Sequence, residues 1–156
     1  MNSIGNVIGE LCKVILPIPE ESYLGNTDSS IAICTLSSMD LLKKISDSEL
    51  LNHISIAGRL LSENKGIDSI IKYVNQNKKI KTIIVCGKEV WGHKAGHSLF
   101  ELYKNGIDNY GRIINSTSPD PFLTVTKLEI NYFQNEINLV NIINETNFDT
   151  IKKFVI

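Results

Sequence analysis

Two compact apolar runs stand out in an otherwise mixed chain. SSIAICTL, residues 29–36, is bounded by serines, and TIIVCG, residues 82–87, ends at a glycine. Unbroken rather than alternating apolarity is what a strand covered on both faces requires, so both runs are predicted as buried strands. Between them, NKGIDSIIKYVNQN places Ile67, Ile70, Ile71 and Val74 at the i, i+3, i+4, i+7 spacing of an amphipathic helix. Ser62 or Asn64 supplies its N-cap, and Asp68 near the start with Lys78 and Lys79 at the end suits the helix dipole. A second helix is predicted from about His93 to Lys104, stopped by Asn105-Gly106. Downstream, SPDP (118–121) reads as a loop, LEINYFQNE as a helix and INLVNII as a strand. NFDTIKKFV closes the chain as a helix with Phe148, Ile151 and Val155 on one side. Pro17, Pro19, Gly25 and a polar NTDSS run mark residues 1–28 as an irregular lead-in, with at most a short strand at KVIL.

Strands and helices alternate, and no repeat or linker interrupts them. That order predicts an α/β fold with a mostly parallel sheet and helices on both faces. The 156 residues suit one domain, since a chain of this size buries roughly two-thirds of its unfolded surface. Sheets of this kind bind ligands beyond the carboxyl ends of their strands, which directs attention to the loop CGKEVWG after the strand at 82–86.

Composition narrows the partners. Sixteen Lys+Arg against seventeen Asp+Glu leave almost no net charge, and the lysines are scattered rather than gathered in a stripe with aromatics, which argues against nucleic acid. The longest apolar runs fall far short of the ~20 residues of a membrane span, and the N-terminus lacks the order of a signal peptide, so a soluble, cytoplasmic protein is expected. Cys12, Cys34 and Cys86 are odd in number, widely spaced and set among apolar neighbours, as reduced thiols would be.

The candidate chemistry lies in VCGKEVWGHKAGHSLF, which holds two of the three histidines. At about 100° per residue, Ala95, Leu99, Leu102 and Tyr103 share one side of the second helix, and His93, His97 and Phe100 the other. With the core face already taken, the histidines are either surface residues or functional ones. Gly92 and Gly96 flank His93 and either open room for a flat group or serve only to break the strand and let the helix touch the sheet. A zinc site on His93 and His97 has the i, i+4 spacing of HExxH, but the motif reads HKAGH, so the catalytic Glu is missing and a third ligand would have to come from Cys86, Glu89 or His53. GKEVWG matches neither phosphate-loop pattern. Cys86 beside His93 is either a nucleophile or an inert core thiol, and Trp91 either packs or stacks on a cofactor. The spacing GHxxG also matches the DxHxxG motif of corrinoid-binding domains without its Asp, and Glu89, Ser62 or a backbone carbonyl would then have to orient the imidazole.

CGKEVWGHKAGHSL, with SENKGID and SYLGNTDSSIAICTLSS upstream and NGIDNYGRIIN downstream, resembles the A subunit of tetrahydromethanopterin S-methyltransferase, the corrinoid-carrying component of a methanogen membrane complex. The resemblance covers most of residues 22–122. It implies a Rossmann-like domain that binds a cobamide, cobalamin or a 5-hydroxybenzimidazolyl analogue, base-off with His93 as lower axial ligand. His97 falls where the family commonly has another residue and gains no ligand role from the match. The surface expected to receive the ring and its tail comprises Thr35 and Leu36, Ser62, Glu63 and Asn64, then Cys86, Gly87, Lys88, Glu89, Gly92, Gly96 and Phe100. The implied reaction carries a methyl group from a methyl-tetrahydropterin to cobalt and on to a thiol such as coenzyme M, with other methyltransferase subunits as partners. A transmembrane helix ends the family member of the membrane complex, and the sequence through Ile156 contains none, as in a soluble paralogue or a shorter piece. The competing expectation is a pterin- or nucleotide-binding module that keeps the fold without the chemistry.

Overall fold

The two apolar runs lie side by side at the centre of a parallel sheet. In the computed structural model, which describes residues 22–156, they are β2 (Ile31–Cys34) and β4 (Thr82–Val85). Around them stand β1 (Ser22–Leu24), β3 (Ile56–Gly58) and β5 (Asn138–Asn141), in the spatial order β1-β3-β2-β4-β5. Only β1 runs antiparallel, on β3. The other three pairings are parallel and in step, with Cys34 opposite both Gly58 and Val85, and Val85 opposite Asn141. Their carboxyl ends therefore open along one edge of the sheet.

Helices cover both faces. On one face α1 (Met39–Ser46) and α5 (Phe148–Lys152) bury Leu41, Leu42, Ile45 and Ile151 against Ile33, Ala57, Ile84 and Cys86. On the other, α2 (Lys65–Gln76), α3 (Ala95–Asn105) and α4 (Lys127–Glu136) pack Ile67, Ile71, Val74, Leu99, Leu102 and Phe133 over Ala32, Cys34, Ile83 and Val85. Both faces of β2 and β4 are thus apolar because both are covered, which is the source of their unbroken hydrophobic runs. The α/β architecture with a mostly parallel sheet follows the pattern in the sequence.

Three differences matter. Residues 22–24 fall within the expected lead-in yet form β1, an edge strand; the KVIL segment lies outside the described residues. Residues 37–61, to which the apolar pattern assigned no element, hold α1, a 3₁₀ turn at Glu49–His53 and β3. The second helix begins at Ala95, not His93, because Lys94 adopts a left-handed conformation (φ 49°) as its N-cap.

Chain direction then sets the site. From β2 the chain moves outward to β3, crosses back over β2 to β4, and goes on to β5, so the connections leaving β2 and β4 turn to opposite faces. The point between those two strands is where open α/β sheets bind ligands.

Candidate functional site

The crevice at this switch point is stitched shut at its base. Gly87 (φ +77°) sits so close to Thr35 that a Cβ would collide with the Thr35 carbonyl oxygen. The Ser37 N–H (3.1 Å) and hydroxyl (2.8 Å) both donate to the Lys88 carbonyl, and the Lys88 N–H donates to Ser38 Oγ at 2.8 Å. Further along the loop after β4 comes the exposed turn Trp91-Gly92-His93. There the Lys94 N–H donates to the Val90 carbonyl, Gly92 takes φ +83°, and Trp91 is 95% exposed.

His93 stands in this turn with its side chain about half exposed and Nδ1 2.9 Å from Glu63 Oε1. Glu63 precedes α2 and is almost wholly buried. Its other oxygen accepts the Asp120 N–H at 2.9 Å. Burial pushes the Glu63 carboxyl up, but the backbone N–H groups of Glu63 and Asp120 and the His93 imidazole together outweigh it and hold the group below the usual glutamate range. A carboxylate can only accept from Nδ1, so in the neutral imidazole Nε2 is the acceptor nitrogen, and it has no partner among the described residues. A buried carboxylate behind one nitrogen and an open lone pair on the other form the arrangement found on metal-ligating histidines.

Glu89 and Ser62, the side chains considered for orienting His93, are engaged elsewhere. Glu89 caps α3: Oε1 accepts from Gly96 N at 2.9 Å and Oε2 from His97 N at 2.8 Å. Ser62 Oγ accepts from Gly66 N, and Asn64 caps α2 while donating to Asp120. Since His93 precedes α3, the two histidines do not share a helix face. His97 Nε2 instead accepts the Thr117 N–H at 3.1 Å. The described residues contain no group of three His, Cys, Asp or Glu able to hold a metal ion, so the zinc alternative lacks its third ligand.

The remaining predicted residues fall into two sets. Gly92 is exposed in the turn, where a Cβ would meet nothing within 4 Å, and Lys88 is exposed beside Ser37 and Ser38. Thr35, Leu36, Cys86 and Gly96 are buried, Cys86 on the face covered by α1 and α5. A Cβ on Gly96 would meet Ile143, Glu89 and Leu36, so this glycine lets α3 approach the sheet. Phe100 packs partly buried on the larger core. Desolvation raises the thiol of Cys34 to about 12 and pushes that of Cys86 up as well, so neither is a thiolate near neutrality. Asp120 is the residue that the sequence did not single out. Its signal is positional, since it sits between Pro119 and Pro121, which stiffen the chain on either side.

Residues 16–156 match the family model for the A subunit of tetrahydromethanopterin S-methyltransferase. The chain belongs to that family. It is 36% identical over 141 residues to the A subunit of the putative methyltransferase Mtx of Methanosarcina barkeri, covering 89% of this chain and 68% of that one. With the tetrahydromethanopterin S-methyltransferase A subunit of Methanosphaera stadtmanae it shares 32% over 138 residues, 86% of this chain and 53% of the relative. With the A subunit numbered 1 of the same enzyme in Methanothermobacter thermautotrophicus it shares 34% over 139 residues, 87% and 56%. The chain thus spans about two-thirds of the Mtx relative and about half of the other two. Their names identify it as a methyltransferase subunit. No helix among the described residues is long and apolar enough to cross a membrane.

Proposed function

We propose that this protein binds a cobamide base-off, with Nε2 of His93 as lower axial ligand to cobalt, and carries a methyl group from a methyl-tetrahydropterin to a thiol such as coenzyme M. The observation that carries the reading is the Glu63–His93 pair at the carboxyl end of the parallel sheet. Family membership supports the reaction class, and the names of the relatives, as subunits, support partner chains that bring the pterin and the thiol.

The residues present suit the cofactor. Glu63 accepts the Nδ1–H proton, keeps the Nε2 lone pair directed outward and makes that nitrogen a better donor. Gly92, with no side chain in the turn, leaves the approach to His93 open on that side. The chemistry a cobamide supplies when bound is methyl transfer at cobalt. Cys34 and Cys86, buried and protonated, do not compete as methyl acceptors.

The test is the nitrogen superhyperfine splitting in the EPR spectrum of the cob(II)alamin complex, using protein labelled with ¹⁵N at histidine. Coupling to ¹⁵N is expected in the wild type and in His97→Ala, and is lost in His93→Ala while the fold persists. No retention of any cobamide in equilibrium dialysis, or coupling that survives His93→Ala, overturns the reading.

A further inference from the structure

We propose that His97 and Ser98, on α3, are positioning residues for His93 that act through the segment 116–120 and Glu63; the inference rests on the reading of His93 as a ligand. Three sets of bonds form the path. At the α3 end, His97 Nε2 accepts the Thr117 N–H. Ser98 Oγ lies 2.6 Å from both Ser116 Oγ and Ser118 Oγ, with all three hydroxyls buried. At the α2 end, the Asp120 N–H donates to Glu63 Oε2, and Asn64 Nδ2 donates to the Asp120 carbonyl at 3.2 Å. From Glu63 the last step is Oε1 to His93 Nδ1.

What makes this a path rather than three separate contacts is the stiffness of the intervening chain. Pro119 fixes its own φ, and prolines at 119 and 121 confine Ser118 and Asp120 to extended conformations. A segment held at Thr117 therefore has little slack by Asp120. The Asp120 N–H holds Glu63 Oε2, which leaves Oε1 turned to His93 Nδ1, and that contact keeps the neutral imidazole's proton on Nδ1. The second histidine of HKAGH thus serves the first through this path. Its Nε2 must be a lone pair to accept from Thr117, so His97 carries its own proton on Nδ1.

The readout is the tautomer of His93 in the unloaded protein, from two-bond ¹H–¹⁵N couplings of ¹⁵N-histidine-labelled chain at about pH 8, above the usual histidine range. In the wild type the Nδ1–H form of His93 is expected to dominate. His97→Ala and Ser98→Ala should each lower the ratio of Nδ1–H to Nε2–H at least threefold, and His97→Gln, which puts an amide oxygen near the place of Nε2, should restore it. If Ser98→Ala fails to fold, the two His97 variants alone decide. An unchanged His93 tautomer in His97→Ala overturns the inference, whatever that variant does to thermal stability. The two readings fail separately. Wild type that ligates cobalt through His93 while the variants leave its tautomer unmoved sinks only the positioning role. Wild type whose tautomer answers to His97 but which ligates no cobalt supports the positioning role and sinks the ligand assignment.

Discussion

Gly87 leaves no room for a side chain. Its left-handed φ and the Thr35 carbonyl against its missing Cβ hold the loops after β2 and β4 together at the base of the site. Gly87→Ala should therefore destabilise the fold by about 2–4 kcal/mol, the sum of a forced left-handed alanine and a backbone collision. Urea unfolding checks this, and a loss under about 0.5 kcal/mol would show that the two loops separate at little cost. His93 was legible at this scale because it follows a strand end and stands among glycines. Glu63 was legible only as a neighbour in SENKGID, since nothing in the sequence tells a buried carboxylate from an exposed one. Asp120 was not legible as a site residue, because what it contributes is a backbone N–H.

Elements were readable in proportion to how many residues carried their pattern. α2, with four apolar positions in one period, emerged within a residue of its ends, and the buried strands β2 and β4 emerged whole. β1 and β3 have three residues each and lack a run long enough to read, although β3 is internal and pairs on both sides. The start of α3 was misplaced because its cap is not the Ser, Thr, Asp or Asn found at most N-caps. The capping oxygens come from Glu89, six residues upstream of Ala95, and a contact of that length leaves no local signature. Removing it in Glu89→Ala frees the N–H groups of Gly96 and His97 and should cost about 1–2 kcal/mol, with Glu89→Gln losing less. The expected result is a lower urea midpoint at unchanged slope. Equal losses in the two variants would mean that one amide oxygen cannot substitute at all and that the carboxylate's charge carries the contribution.

For the whole molecule, the lowered Glu63 carboxyl couples the site to acid stability. Its folded value lies below the unfolded one, so its contribution is fully present above the ordinary glutamate range near about 4.3 and is lost as pH falls through the folded value. Wild type should therefore exceed Glu63→Gln in unfolding free energy near neutrality, and the gap should narrow only below about pH 4. Denaturant titrations of both proteins across that range decide it, and parallel curves would remove Glu63 from the account of acid sensitivity.

Trp91 is the chain's one tryptophan, lies two residues from His93 and is 95% exposed. An indole already in water gives long-wavelength emission in the native protein and changes little on unfolding, so the natural fluorescence of this chain reports poorly on its fold. It reports instead on whatever comes over the turn. A strongly absorbing ring seated at His93 would quench nearly all of the emission by energy transfer, and a colourless protein surface covering Trp91 would shift it to the blue. One residue thus distinguishes by colour and direction which kind of visitor the site has received.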